Sequence, residues 1–339
     1  MDLLFDISLL SMLVVTALAT VFVRDLFAVI MLFGIYSLLS AGFFLNLNAP
    51  DVSLTEAAIG AGISPILMLG TLALTRKSLA PSAIKSKKKA WLPIIVVTLT
   101  GAALIYATLD VPHFGDPSGP AHNHVAPRYI KESYKEIHIP NIVTSVLASY
   151  RGFDTLGETF VIFAAALGVL ALLGAIKQGD ADDYRQFSDT ASLRRHNILH
   201  VISKILIPII LLFGLYVQFH GDYSPGGGFQ AGVIFAVAFI LYALIYSLSA
   251  AQKIISPLFL QITMVIGVLL YAGTGVASLL NGANYLDYSV LGQDALKGQH
   301  NGIILVELGV GITVASVMLS IFYTFAARAL HTNETSEAK

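Results

Sequence analysis

The sequence predicts an all-α, polytopic membrane protein with about nine transmembrane helices. Three observations lead there. Of 339 residues, 56% are hydrophobic and only 12% are charged, against roughly 25% charged in a soluble domain. Mean hydropathy is +0.76. The apolar residues also gather in runs of about 20, the length a helix needs to cross hydrocarbon. Such runs are too long for barrel strands. Backbone in lipid must satisfy its own hydrogen bonds, which leaves helices.

The runs fall at roughly 3–23, 26–47, 52–75, 91–109, 153–176, 200–219, 226–250, 254–281 and 302–328. The first follows Met1-Asp2-Leu3-Leu4-Phe5-Asp6, without the basic region of a cleaved signal, so it is expected to stay as a span. Lys and Arg set the orientation. Arg76, Lys77, Lys85, Lys87, Lys88 and Lys89 crowd the third connection with no acid among them. That loop is expected in the cytoplasm, with the N-terminus outside and the C-terminus inside. Arg24, Lys177, Arg185, Arg194, Arg195, Lys253 and Arg328 then also fall inside. Only Arg128, Lys131, Lys135, Arg151 and Lys297 fall outside.

The charged loops 76–89 and 177–199 divide the chain into expected modules at 1–80, 90–178 and 196–330, holding three, two and four spans. The external segment 110–140 carries Pro112, Pro117, Pro120, Pro127 and Pro140, which predicts extended or looped chain. There is no cysteine, so disulfides, zinc-thiolate sites and iron–sulfur ligation are excluded. A net charge of −1 gives no nucleic-acid footprint. No catalytic triad, nucleotide loop or HExxH motif is present, so neither enzyme chemistry nor a cofactor is expected.

What the spans do carry is acid. An ionisable residue in hydrocarbon is costly and marks an ion route by default. Asp51 and Glu56 open the third span after Pro50, a residue suited to a helix's first turn. Asp51 reads either as an anion welcomed by the helix dipole or as part of a route. Glu56 lies about 7 Å further in, beyond capping range. Gly60, Gly62, Ser64 and Pro65 follow it. They read as a packed kink or as a broken helix beside an ion site. Asp154 and Glu158 open the fifth span on one helix face. In a dry site two such carboxylates do not both ionise freely. The bland alternative is Asp154 as a cap, with Glu158 paired to Arg151.

His220 and Asp222 precede Pro225-Gly226-Gly227-Gly228-Phe229. They read as a proton relay at the mouth or as a solvated turn. The glycines lack the Gly-Lys-Ser/Thr ending of a phosphate loop and are expected to bring two helix ends close. Lys204 either snorkels to the inner interface or partners an acid on the route. Glu307 lies about 8 Å in from Gly302 with no partner in its own span. His113, His122, His124 and His138 are spaced too loosely on the external segment for a metal site.

With these motifs in view, the chain resembles Mrp-type multisubunit Na+/H+ antiporters over nearly its whole length. Ala49-Pro50-Asp51 through Glu56 is similar to the hydrogenase-related D-like module. Phe114-Gly115-Asp116-Pro117, His124-Val125-Ala126-Pro127-Arg128-Tyr129-Ile130, Asn141-Ile142-Val143-Thr144 and Tyr150 through Glu158 resemble the E-like module. Residues 196–328 resemble the MnhB/MrpB subunit, on His196-Asn197, His220-Gly221, Pro225 through Phe229 and Glu307. In many relatives the D- and E-like modules end the large MrpA protein, while MrpB is separate; here they look fused to it.

The resemblance implies a complex of six or seven subunits in a prokaryotic inner (plasma) membrane, with A-, C-, D-, E-, F- and G-like partners, exchanging internal Na+ for external protons. It implies a cation or proton route through Asp51, Glu56, Asp154, Glu158, Lys204, His220, Asp222 and Glu307. Glu56 and Glu158 would make transient Na+ contacts. This chain lacks the long lysine-bearing antiporter-like pattern, so it is not expected to exchange ions alone. The rival readings are a component of a membrane-bound hydrogenase or complex-I-like redox pump, and a purely structural linker.

The absence of cysteine makes the topology testable with single introduced thiols. Ser86→Cys and Ser188→Cys are expected to resist an impermeant thiol reagent applied to intact cells, while Ser118→Cys reacts. Labelling of Ser86→Cys from outside overturns the orientation.

Overall fold

A computed structural model describes residues 2–75, 91–113, 116–174 and 197–337. The basic residues Arg76, Lys77, Lys85, Lys87, Lys88, Lys89, Lys177, Arg185, Arg194 and Arg195 lie outside the described residues, as do Ser86, Ser188, Phe114, Gly115 and His196. Nine helices among the described residues are long and apolar enough to cross a membrane. They are α1 (Asp2–Phe22), α2 (Leu26–Asn46), α3 (Pro50–Thr75), α4 (Trp91–Thr108), α7 (Gly152–Leu173), α8 (Asn197–His220), α9 (Gly228–Tyr246), α11 (Pro257–Leu280) and α12 (Ala295–Glu337). Shorter helices intervene, among them α5 (Ala126–Ile137), α6 (Ile142–Ser145, continued by a π turn at Val146–Tyr150) and α10 (Leu248–Ile254).

The chain divides into two units, residues 1–74 with 134–339, and residues 75–133. The smaller unit contains α4. Leu92, Ile94, Val96, Val97, Leu104 and Ile105 on that helix are exposed, as suits a helix that is apolar all round and faces lipid.

In the larger unit, α12 is the central helix, packed between α9 and α11. Glycine permits the contact. A Cβ at Gly228 would lie 2.2 Å from the Glu307 carbonyl, and one at Gly232 would lie 2.7 Å from the Gly311 carbonyl. On the opposite side, a Cβ at Gly267 would lie 2.3 Å from the Thr313 hydroxyl. Lipid offers helices no hydrophobic drive to associate, so close approach of small residues supplies the packing energy. Val233, Ala236, Ile240, Val306, Val310 and Val314 fill the seam.

Three expectations need correction, and one open alternative is decided. Segment 110–140 is not wholly looped, because α5 forms within it. Pro127 lies in the first turn of α5, where a missing N–H costs nothing, and Pro140 falls after its end. The third span is not broken. A π turn at Ala57–Ile63 shifts the hydrogen-bond register, with the Ser64 amide donating to the Ile59 carbonyl five residues back, and the helix runs on through Pro65. The ninth helix starts at Ala295 rather than 302. Glu307 therefore stands about 18 Å along the axis from the first turn. The seventh helix also stops early, at Tyr246. Ser247, at φ 117°, caps α10 by accepting from the Ala250 amide at 3.2 Å.

If the α9–α12 contact carries the packing, a single methyl there is costly. Gly232→Ala is expected to destabilise the purified protein by about 1–3 kcal/mol, as overpacking does. Gly168→Ala, where a Cβ meets nothing within 4 Å, should leave the melting temperature unchanged. Equal melting temperatures for the two variants would contradict this account of the seam.

Candidate ion-route site

The site is assembled from four helix starts and one turn. Pro50 begins α3 and puts Asp51 in its first turn, where no side chain caps the helix. Asp51 Oδ1 instead accepts from Asn141 Nδ2 at 3.0 Å. Asn141 is the junction of three segments. Its Oδ1 caps α6 by accepting from the Val143 amide at 2.9 Å. Its Nδ2 also reaches the Gly221 carbonyl at 3.2 Å and the Ser224 carbonyl at 3.1 Å. Its own amide donates to the Asp222 carbonyl at 3.0 Å. Thr144 adds a bond from its hydroxyl to the Gly221 carbonyl at 2.8 Å.

The π turn after α6 frees carbonyls that an α-helix would bond internally. Thr155 donates to the Leu147 carbonyl at 2.9 Å, and Tyr288 to the Ala148 carbonyl at 2.9 Å. Tyr271 donates to the Gly152 carbonyl at 2.6 Å. These bonds fix the start of α7 and hence Glu158, two turns in. The Gly226-Gly227-Gly228 turn enters α9 with Gly227 at φ 116°, a conformation natural only to glycine. It lies against α12, and a Cβ at Gly227 would be 3.4 Å from Glu307 Oε1.

These elements enclose a cavity of about 330 Å³. Its polar lining includes Asp51, Thr55, Glu158, Gln230, Tyr271 and Glu307. Gln230 Nε2 donates to the Thr55 hydroxyl at 2.6 Å, and that hydroxyl donates to the Asp51 carbonyl at 2.9 Å. Among the described residues, the carboxylates of Glu158 and Glu307 have no hydrogen-bond or ion-pair partner.

A second hollow of about 220 Å³ lies on the other side of Glu307, lined also by Gln218, Asp222, Tyr223 and His300. Asp222 is buried, and its Oδ2 lies 3.2 Å from His300 Nδ1. Burial pushes the Asp222 carboxyl above the usual carboxylate range, and the neighbouring His300 opposes this. A third, open hollow of about 700 Å³ at the surface is lined by Lys297, His300, Asn281 and Asn301. His300 thus stands between the surface and the second hollow, and Glu307 between the second hollow and the central cavity.

The remaining expected residues lie apart. Glu56 faces α2 rather than the cavity: its Oε1 and the Ser37 hydroxyl would each meet a Cβ at Gly60 at 2.6 Å. Asp154 is exposed and pairs with Arg151 at 2.5 Å, so neither the cap nor the Glu158–Arg151 pair occurs. Lys204 is exposed and lines none of the three hollows. His220 stacks on Tyr216 at a 4.6 Å centroid distance and lines none of the three hollows. Among the described residues, no three His, Asp or Glu side chains are grouped to hold a metal ion. Asn141 stood in a motif of the resemblance without a role, and Gln218, Gln230, Tyr271 and His300 were not singled out from the sequence. Only the two glutamines carried a signal, as amides inside apolar runs.

Comparisons with known proteins agree with this architecture. A family model described as a domain related to the MnhB subunit of Na+/H+ antiporter matches residues 198–320. Models described as the D and E subunits of MBH match residues 11–77 and 88–182. The chain is 25% identical over 329 residues to a probable K(+)/H(+) antiporter A/B subunit of Rhizobium meliloti (strain 1021). That match takes in 88% of this chain but only 32% of the relative, so the chain spans about a third of that protein's length. It is 32% identical over 132 residues to the antiporter subunit mnhB2 of Staphylococcus aureus (strain Newman), covering 38% of this chain and 93% of the relative. Among solved structures, the Mrp complex from Dietzia sp. DQ12-45-1b aligns with TM-score 0.69 and 23% identity, over 94% of this chain and 34% of that one. A chain of an archaeal respiratory complex, the membrane-bound sulfane sulfur reductase, aligns with TM-score 0.52 and 27% identity, over 70% of this chain and 98% of that one.

The Asn141 junction predicts an order of damage. Asn141→Ala leaves the Ser224 carbonyl and Asp51 Oδ1 without that donor, while the Gly221 carbonyl keeps the Thr144 hydroxyl, and an unsatisfied group costs about 1–3 kcal/mol where it is buried. Asn141→Asp keeps the α6 cap but sets a carboxylate against Asp51. It is expected to lower the melting temperature at least as much as Asn141→Ala. A milder effect from Asn141→Asp would mean that the cap, not the donated bonds, holds the junction.

Proposed function

This chain belongs to the family of MnhB-related antiporter subunits, and from that premise we propose that it lines part of a monovalent-cation route in a multisubunit cation/proton antiporter. One observation carries the reading: Asp51, Glu158 and Glu307, from three separate helices, line a single cavity between apolar helices, with Glu158 exposed and the other two part-buried. Carboxylates without partners in such a setting are costly unless an ion or proton compensates them. Hard monovalent cations prefer oxygen ligands, which the cavity supplies from acids, the Thr55 hydroxyl and the Gln230 amide. The same carboxylates accept protons, so cation and proton compete for one set of groups.

In this reading residues 1–80, 90–178 and 196–330 are three modules of one subunit in a prokaryotic inner membrane, with the N-terminus outside and the C-terminus in the cytoplasm. Na+ and K+ are both candidates for the cation. The chain acts with other Mrp-type subunits and not alone, as a transporter component and not an enzyme. Glu56, off the cavity, serves the α2–α3 contact; Asp154 serves the surface.

The test is cation-dependent dissipation of ΔpH in vesicles carrying the assembled complex, beside a blot for its subunits. Glu158→Gln and Glu307→Gln are each expected to lower antiport about tenfold or more, as loss of a transport carboxylate does. Gln preserves shape, so abundance should hold. Asp154→Asn should transport normally. Full transport by the Glu158→Gln, Glu307→Gln double variant defeats the route, and loss of the complex favours a structural linker instead. The likeness to the sulfur reductase chain supports a second reading, a component of a redox-driven membrane complex. Redox subunits co-purifying with this chain would favour it.

A further inference from the structure

A fourth hollow, of about 440 Å³, lies between α8, α9, α11 and α12 and has no part in the cation-route reading. Its walls are mostly apolar and include Phe235, Phe239, Phe259, Ile266, Leu308 and Leu319. Phe259 and Ile266 are exposed, so the hollow is open on the lipid side. Its few polar groups are already engaged or turned aside. The Thr263 hydroxyl donates to the Phe259 carbonyl at 2.8 Å and meets the Ser316 hydroxyl at 2.8 Å. The Gln218 amide oxygen is turned to α12, where a Cβ at Gly311 would lie 2.3 Å from it. Such walls offer an ion or a polar solute little and suit an apolar occupant.

One end of the hollow carries positive charge. Lys253 lies in the last turn of α10, two positions before the wall residue Ile255, and is exposed. Lys204, also exposed, stands on the same face of α8 as the wall residue Leu215, three turns or about 16 Å along the axis. His200, one turn before Lys204, packs on Tyr246 at a 4.5 Å centroid distance. The start of α8 therefore meets the end of α9, from which α10 continues, and both lysines fall at that end. Among the described residues neither lysine has an ion-pair or hydrogen-bond partner. The helices at hand supply none: from 197 to 286 the one acid is Asp222, beyond the far end of α8, and none occurs from 308 to 328. Either lysine alone would simply snorkel to water. Two of them beside an apolar hollow match an anionic headgroup that carries an apolar chain, as basic pockets between membrane helices do.

Shape separates a lipid chain from a helix of another protein. On α12 the walls run from Leu308 to Leu319, about 16 Å by helical rise. The volume of about 440 Å³ spread over that length gives a mean cross-section of about 27 Å², against roughly 80–110 Å² for a helix 10–12 Å across. We propose that the hollow holds an acyl chain of an anionic phospholipid whose phosphate lies between Lys253 and Lys204. In the expected orientation this lipid belongs to the cytoplasmic leaflet. Its chain touches α8, α9, α11 and α12 at once and lies behind Gly311, on the flank of the α9–α12 seam. The lipid site stands whether or not the central cavity carries cations.

The experiment uses the assembled complex in phosphatidylcholine vesicles doped with a phosphatidylglycerol whose chain ends in a diazirine, beside the same chain on a phosphatidylcholine headgroup. After photolysis and digestion, mass spectrometry is expected to find adducts on segments 235–239, 259–266 and 308–319. The phosphatidylglycerol probe should be favoured there about fivefold for each lysine engaged, the scale of one basic residue near an anionic lipid. Lipid-facing α4 serves as the control and should take both probes equally. Lys253→Gln should cut the preference in the hollow about fivefold, and the Lys204→Gln, Lys253→Gln double variant should remove it. Ala315→Phe places a ring in the hollow and should abolish adducts on 259–266 while those on α4 persist. Equal labelling by the two probes in the wild type, or a preference unmoved in the double lysine variant, overturns the proposal. So does a photoreactive p-benzoylphenylalanine in place of Phe259 that joins to another subunit, because a protein then covers the hollow. Should Ala315→Phe fail to assemble, the lysine variants change only exposed side chains and still decide.

Discussion

The backbone of α9 reaches that of α12 because Gly228, Gly232 and Gly311 put nothing between them, and the placing of every group around Glu307 follows from that approach. With any side chain at 228 the helices would separate, and the N-terminus of α9 would no longer lie beside the Glu307 turn. A helix N-terminus carries unpaired amides and a partial positive charge. Setting it against a carboxylate deep in an apolar bundle lessens the cost of that acid without neutralising it by an ion pair. An arginine at the same place would hold the carboxylate permanently, and an ion could then not take it. Tight packing is therefore what leaves Glu307 available.

The polar groups of the larger unit fall into two populations. Asn141, Thr144, Thr155, Tyr271 and Tyr288 spend their hydrogen bonds on carbonyls that turns and π segments leave open. They join α3, α6, α7 and the turn before α9 into one frame, and the requirement that buried backbone be paired explains each of them. Glu158 and Glu307 do no such work. They stand in the walls of hollows, and the frame does not need them. In the proposed route this second population supplies the ion's ligands, because only groups without a protein partner can exchange one ion for the next.

Helix number was legible from hydropathy, because a span must be continuous and apolar and nothing else in a chain looks like that, whereas the ends of the seventh and ninth helices were not. Asp51, Glu158 and Glu307 were legible as acids out of place, yet their convergence was not, since it depends on how α3, α7 and α12 pack. Glu56 and Asp154 stood out by the same rule and proved to face α2 and the surface. A residue's depth along the chain says nothing about which way it faces. The π turn at Ala57–Ile63 was hidden because Pro65 announces a disturbance without saying whether the helix breaks or shifts register. His300 was unreadable for another reason: the sequence placed the start of the last helix near 302, so His300 seemed to lie in a loop. Its meaning comes only from Asp222, 78 positions earlier in the chain.

The three hollows are joined through side chains rather than through open space, and that bears on how an exchanger differs from a channel. A continuous water-filled path would let cation and proton run down their gradients independently. Here His300 stands across the first junction and Glu307 across the second. In the proposed route an ion passes each wall only by binding the group that forms it, so an acid must be vacated by one ion before another can follow. Apolar side chains such as Ile304, Leu308, Val306 and Val310 fill the remaining lining of the second hollow and the cavity. Low local dielectric then makes a proton and a cation on the same carboxylate mutually exclusive. Coupling in this account needs no large rearrangement of the helices. It follows from placing acids in series, with Glu307 shared by the cavity and the second hollow.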